Sequence, residues 1–483
     1  MNNINLSELT IRKAHDSMKS GDFSARELTQ SYLEVIKEKN PNINAYLHIF
    51  EENALKQADE ADKRFKDGTA VLLTGIPMAI KNNILVKGEI TTASSKILEN
   101  YHATYDATVI EKLKRAGAVF LGGVNLDEFA MGGSTENSAY GVTKNPYDDT
   151  RVSGGSSGGS ASAVAMDGAL SALGTDTGGS IRQPSSFCGT VGLKTTYGRV
   201  SRYGAIAMGS SLDQIGPIAK TVDDAEIIYD CIKGEDKMDS QTIPENILKR
   251  PMVKEKMTIG VPRHFMKDGV DLDVMKNFEE SLEKLKSLGH EIKEIELPNI
   301  DYSLATYYII MPAEVSTNLA RFDGVRFGLL KEGENGIQDY MKTRAVGFGP
   351  EARRRIILGT YVLSAGYYDA YYNKATALRE IMKKDFVKAF EDVDVILTPT
   401  SPIPAFKIGE KANDPVQMYL ADIFTVSANM VGVPAISVPS GFTEREGKQL
   451  PLGIQFMAPW MGENVLFKIG RDFEKAMNLR DIK

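Results

Sequence analysis

Between Val274 and Leu288 the apolar positions Val274, Phe278, Leu282 and Leu285 fall on one face at intervals of three and four, which predicts a helix with a buried stripe. Ile292–Leu297 instead alternates apolar and charged residues as a half-buried strand does, and the short apolar runs Thr258–Val261 and Val393–Leu397 read as buried strands. Pro434–Phe456 reads as two strands paired around the turn Glu444–Gly447. Toward the other end, Ser24 and Glu27 have the spacing of a capping box, opening a helix predicted to stop before Asn40-Pro41, and Glu51–Lys66 is a charged amphipathic helix. Residues 1–67 are thus expected to form a helical collar. Ile76–Lys81 has strand character and ends in a lysine; Asp106–Gly117 is a helix that feeds the strand Ala118–Asn125. Gly158–Met166 is small or apolar on every face, as a helix inside a protein is, and is followed by a strand over Ala169–Leu173 and a loop over Gly174–Ser180. The aromatic and basic stretch Pro350–Phe390 predicts one long helix or two abutting ones.

Strands alternating with helices, with no repeat or low-complexity linker between them, predict one α/β domain over residues 1–483, built on a central mixed β-sheet covered by helices. Composition agrees with a folded chain: 42% hydrophobic and 25% charged residues. A net charge of −7 argues against a protein that grips nucleic acid through its own surface, because phosphate binding needs a basic field. The start of the chain lacks an apolar core of signal-peptide length and no run approaches a membrane span, so the expected location is the cytoplasm, without membrane contact. Cys188 and Cys231 lie in apolar contexts, and His15, His48, His102, His264 and His290 are scattered without ligand spacing, so no metal site is expected and no histidine stands ready as a base.

Chemistry concentrates between Arg151 and Gly189. Glycine pairs at Gly154–Gly155, Gly158–Gly159 and Gly178–Gly179 are each followed by a serine, within a stretch too rich in alanine, valine and leucine to be a solvated linker. Ser180 is placed at a glycine-rich turn after a strand, where its side chain would be exposed and the N–H groups of Thr177, Gly178, Gly179 and Ser180 could line an oxyanion hole. A serine nucleophile needs a base. Lys81 is the candidate, since Ile76, Met78, Ala79 and Ile80 would bury its stem and burial disfavours an ammonium. Taken singly, these features equally describe a tight turn and a snorkelling lysine. A phosphate cradle is a weaker alternative, because neither glycine run continues into the lysine and hydroxyl residue of a P-loop. Ser281-Leu-Glu-Lys284 is a formal SxxK motif inside an amphipathic helix and reads as coincidence.

Three motifs in order resolve the choice. Gly154-Gly-Ser-Ser-Gly-Gly-Ser160, then Asp176-Thr-Gly-Gly-Ser-Ile-Arg-Gln-Pro184, and upstream Gly75-Ile-Pro-Met-Ala-Ile-Lys-Asn82 together resemble the amidase signature family over nearly the whole chain, with residues 71–220 as the catalytic signature region. Further stretches, Asp127–Thr135, Leu193–Arg199 and Asn318–Gly324, share the likeness. The resemblance implies that Ser180 is the acyl-forming nucleophile, Ser156 a bridging serine preceded by a cis Gly155–Ser156 peptide, and Lys81 the terminal base. It also implies a glutaminase that needs no cofactor of its own and supplies ammonia to the B and C subunits of a tRNA-dependent amidotransferase. ATP, with magnesium, would be used by the partner subunit, and tRNA bound mainly through it. A free-standing amidase acting on another small amide, and a silent scaffold, are the competing readings; the intact Lys81, Ser156 and Ser180 speak against the scaffold. A glutamine site needs a fixed cation for the α-carboxylate and a fixed anion for the α-ammonium. Arg355, one of three adjoining arginines, and Asp422, flanked by Leu420, Ile423 and Phe424, are the candidates, with Tyr307 or Tyr308 lining the pocket. Both charged positions also resemble the family's glutamine-binding residues.

Overall fold

Lys81 and the turn that carries Ser180 lie at the ends of two neighbouring parallel strands, Pro77–Lys81 and Ser171–Asp176. The computed structural model describes residues 4–266, 269–412 and 414–478. Among these, eleven strands form one mixed sheet in the order Tyr46–Ile49, Val119–Val124, Pro77–Lys81, Ser171–Asp176, Gln214–Ala219, Val191–Lys194, Ala435–Arg445, Lys448–Met457, Val395–Pro399, Thr258–Val261 and Glu291–Glu294. Pro77–Lys81 runs parallel to both its neighbours, with Ile80 in register with Leu173 of Ser171–Asp176. The middle of the sheet is antiparallel, and Thr258–Val261 is parallel to the two strands beside it at the far edge. Helices cover both faces, and one continuous apolar cluster runs from Leu6 to Phe473, so the N-terminal helices share a core with the signature region.

The capping box forms as predicted: Glu27 Oε2 accepts the Ser24 N–H at 2.7 Å and Ser24 Oγ accepts the Glu27 N–H at 3.1 Å. The helix does not stop before Asn40-Pro41 but runs Ala25–Ile43, with Pro41 inside its last turn. Loss of one backbone donor is tolerated there because Asn40 ties the turn to the next element, its side chain bonding both the N–H and the C=O of Tyr46. The collar is not purely helical either. Tyr46–Ile49 leaves it to form the sheet edge, antiparallel to Val119–Val124.

Elsewhere the differences lie at element ends. The strand predicted over Ala169–Leu173 is Ser171–Asp176, so Gly174 and Asp176 belong to the sheet and only Thr177–Ser180 to the loop. Ile292–Leu297 is a strand only over Glu291–Glu294, although Ile295 and Leu297 remain buried. The stretch Pro350–Phe390 divides into Pro350–Val362 and Lys374–Asp392, joined through Ser364, Gly366 at φ +87° and a π-helical turn Asp369–Asn373. The hairpin turns at Glu446 and Gly447, both with positive φ, which suits the twist of two antiparallel strands. Gly158–Ala165 is the buried helix predicted, and Ser281 sits buried in Leu272–Ser287 with its Oγ bonded to the backbone O of Asn277, away from any site.

Candidate active site

Lys81, the last residue of its strand, has no solvent exposure. Its Nζ lies 2.7 Å from Ser156 Oγ, 2.8 Å from Ser157 Oγ and 2.8 Å from Thr175 Oγ1. Burial lowers the ammonium's pKa from 10.5 to about 7, against the pull of Asp127, Asp176 and Asp213. A lysine lowered that far is partly neutral near pH 7. Ser156 follows a cis Gly155–Ser156 peptide at the mouth of the buried helix. The Ser157 N–H donates to the backbone O of Ser180 at 3.1 Å, which stitches the Ser156 turn directly to the Ser180 turn.

Ser180 is only 7% exposed, so the expectation of an open surface turn is corrected. The turn is enclosed because Tyr307, from the helix Ser303–Asn318, packs on Gly178, where a Cβ would lie 2.8 Å from the phenol ring. On its other side Thr425 Oγ1 donates to the Gly178 O at 2.7 Å. Gly179 has φ +146° and presses against Thr425, leaving no room for a Cβ. Its N–H donates to Asp176 Oδ1 at 2.9 Å, so of the four expected oxyanion donors Gly179 is the one already engaged. Asp176 is fully buried; burial opposes its charge, but Arg182, bonded to both carboxylate oxygens at 3.0 Å, brings it to about 2. The same guanidinium reaches the Thr425 O and Gln455 Oε1, both at 2.9 Å, so the turn is fixed from below by a satisfied ionic hub. Thr177 Oγ1 donates to Asp213 Oδ1 at 2.7 Å.

Beside this turn opens a cavity of about 140 Å³ whose walls include Gly133, Tyr308, Glu351, Arg355, Tyr419 and Asp422. Arg355 and Asp422 therefore do face one space. Tyr308 and Tyr419 stack with centroids 3.9 Å apart, and the Arg355 guanidinium lies 5.5 and 5.6 Å from the two rings. Arg355 Nε donates to Glu351 Oε1 at 2.7 Å, and the Tyr419 hydroxyl donates to the same oxygen at 2.9 Å. Burial opposes the guanidinium's charge, but Tyr308 and Glu351 keep it firmly protonated. Asp422 Oδ1 is buried without a hydrogen-bond partner, 3.2 Å from where a Cβ on Gly179 would be. Burial, with Asp176 nearby, pushes its carboxyl well above the usual carboxylate range. A buried carboxyl oxygen without a partner beside the Ser180 turn is a departure from the usual pairing of buried polar groups. Of the two tyrosines left open by the sequence, Tyr308 lines the cavity, while Tyr307 meets it edge-on at 5.0 Å and packs on Gly178.

Several neighbours of these side chains are not singled out by the sequence. Ser157 and Thr175 share Lys81 with Ser156, across separations of 76 and 94 residues that no local pattern reports. Glu351 does have a readable one, lying four residues before Arg355 on one helix. Gln183 bridges the Ser156 turn to the cavity wall, accepting the Gly155 N–H and donating to the Gly133 O, both at 2.9 Å. Among the described residues no three His, Cys, Asp or Glu side chains are grouped to hold a metal ion.

The amidase family's sequence profile matches residues 27–467. The glutamyl-tRNA(Gln) amidotransferase of Thermoanaerobacter pseudethanolicus has an A subunit that is 52% identical over 98% of this chain and 97% of its own length. Its counterpart from Desulfatibacillum aliphaticivorans is 50% identical over 98% of both. The crystal structure of the A subunit of glutamyl-tRNA(Gln) amidotransferase from Thermotoga maritima superposes with a TM-score of 0.81 at 43% identity, covering 98% of this chain and 96% of that one.

Proposed function

The chain belongs to the amidase signature family, and from that premise we propose that it is the glutaminase subunit of a tRNA-dependent amidotransferase, with Ser180, Ser156 and Lys81 as its catalytic relay. Neutral Lys81 takes a proton from Ser156 Oγ as Ser156 takes one from Ser180 Oγ, and the Ser180 oxygen adds to the side-chain amide carbon of glutamine. The N–H groups of Thr177, Gly178 and Ser180 stabilise the resulting oxyanion; the Gly179 N–H instead holds Asp176. The intermediate collapses with the proton returned through Ser156 to the leaving nitrogen, so ammonia departs and a glutamyl ester remains on Ser180. Water then attacks the ester, giving its proton to the same relay and releasing glutamate. Arg355 takes the α-carboxylate and Asp422 the α-ammonium, with Tyr308 as the wall between them.

The ammonia passes to the B and C subunits in the cytoplasm, where ATP with magnesium activates the acyl group of Glu-tRNA(Gln) or Asp-tRNA(Asn) on the partner. This chain contributes no cofactor and leaves tRNA to that partner, in keeping with its net charge of −7. The observation that carries the reading is the 2.7 Å contact between a buried lysine held near pKa 7 and Ser156, stitched to the Ser180 turn beside a cavity whose walls include the Arg355 guanidinium and the unpartnered Asp422 Oδ1. The test is ammonia release from glutamine by the chain with its co-purifying subunits, followed by ATP-dependent amidation of Glu-tRNA(Gln). Hydrolysis of simple amides without glutamine turnover, or purification as a lone chain with full activity, would refute it.

A further inference from the structure

Asp127 and Glu128 are consecutive buried acids in a turn behind the Ser156 turn, and the two side chains act in opposite directions. Asp127 accepts the N–H of Thr135 at 2.9 Å and of Asn137 at 3.1 Å, holding the loop that carries Gly133, while its own N–H donates to the Ser156 O at 3.3 Å. Glu128 reaches across 221 residues of sequence. Its Oε2 accepts the N–H of Gly349 at 2.8 Å and its Oε1 accepts Ser95 Oγ–H at 2.5 Å. Burial raises its carboxyl to about 7, so the side chain is ionised on the alkaline side of neutrality. Gly349 is the N-cap of Pro350–Val362, the helix that bears Glu351 and Arg355, and it offers no capping side chain of its own. A buried carboxylate from elsewhere in the fold thus takes the place of a local cap, at the end of the helix where negative charge is favoured. The fit is close: a Cβ on Gly349 would lie 2.6 Å from Glu128 Oε2. The turn is also firmly placed. Phe129 and Ala130 have positive φ, and the Phe129 ring packs on Phe322 and Phe348 at 4.9 and 5.7 Å.

We propose that Glu128 is a positioning residue for substrate recognition: it fixes the N-terminus of the helix Pro350–Val362 relative to the Ser156 turn, and so sets the distance between Arg355 and Ser180. Farther along, the helix packs on Ser303–Asn318, with Gly359 against Pro312 and Arg355 against Met311 and Tyr308, so the Glu128–Gly349 contact holds the end of the helix that precedes Arg355. Freed at that end, the helix tilts and the guanidinium no longer meets the α-carboxylate while the amide sits at Ser180.

This inference rests on the glutaminase reading, and the experiment separates the two. Steady-state hydrolysis of glutamine and of butyramide, which lacks the α-groups, is measured at about pH 8 for the complex carrying Glu128→Ala, Glu128→Gln, Gly349→Ala and the double variant Glu128→Ala/Gly349→Ala. Loss of the charge-assisted bond to the Gly349 N–H predicts a KM for glutamine raised about tenfold in Glu128→Ala, with kcat within about twofold. Glu128→Gln, which keeps an acceptor for Gly349, restores KM to within about twofold of wild type. Gly349→Ala raises KM alone and adds nothing in the Glu128→Ala background, because both changes break the same contact. An unchanged KM in Glu128→Ala, additive effects in the double variant, or equal losses for glutamine and butyramide would overturn the proposal. Should Glu128→Ala fail to fold, Gly349→Ala decides alone, and an unchanged KM there overturns it. A wild-type complex that hydrolyses butyramide but not glutamine refutes the glutaminase reading instead, and this inference with it.

Discussion

Lowering the pH from 8 to 6 protonates Lys81 and should switch off the relay. With a pKa of about 7, the neutral fraction falls from about 0.9 to about 0.1, so kcat/KM falls about tenfold with an apparent pKa near 7. The drop from 10.5 to about 7 corresponds to about 5 kcal/mol against the buried ammonium, an order-of-magnitude figure. That cost makes a second observable of the same sign. Because the folded pKa lies below the unfolded one, the unfolded chain binds the extra proton between about pH 7 and 10.5, and stability gains from Lys81 as pH rises through that window. The assay is initial-rate hydrolysis of butyramide from pH 5.5 to 9, since Asp422 has no part in binding a substrate without an ammonium, alongside Lys81→Arg. Arginine stays protonated throughout and should be inactive at every pH, although folded. A rate flat from pH 6 to 8, or a working Lys81→Arg enzyme, would show that Lys81 supplies charge and not a base.

Arg355→Ala and Asp422→Asn should each raise the KM for glutamine by roughly ten- to a hundredfold, as expected for a charge-assisted hydrogen bond, while butyramide hydrolysis by Ser180 persists; unchanged KM in both would place recognition elsewhere. Cys188→Ala should keep glutaminase activity, because the thiol is fully buried, bonded to the Ser153 O at 3.3 Å and pushed up to about 12 by burial; a folded but inactive variant would mean the nucleophile has been misassigned.

Much of the fold is legible because its signals are local. The Ser24–Glu27 box, the all-buried Gly158–Ala165 helix and the hairpin turn at Glu446–Gly447 each announce themselves within a few residues. What local pattern does not hold is pairing order. Nothing near Tyr46 says that it leaves a helical collar to edge the sheet, and nothing near Val191 predicts that Val191–Lys194 lies between Gln214–Ala219 and Ala435–Arg445. The site divides the same way. Lys81, Ser156 and Ser180 stand out through motif order, and Arg355 and Asp422 through the charges a glutamine carries. That the Gly179 N–H is bonded to Asp176 is not legible locally, because the side chain of Asp176 folds back on it across a turn whose shape depends on Arg182 and Thr425. Glu128 lies inside one of the stretches that share the family likeness, but its partner Gly349 is fixed by tertiary structure alone.

The central claim, that Ser180 is the residue acylated by glutamine, is tested most directly by reacting the intact complex with an acyl-trapping glutamine analogue and mapping the adduct by peptide mass spectrometry. The account predicts one stoichiometric label on Ser180, blocked by excess glutamine and lost in Ser180→Ala. A label on Ser156, Cys188 or any other residue, or one that survives in Ser180→Ala, would contradict it.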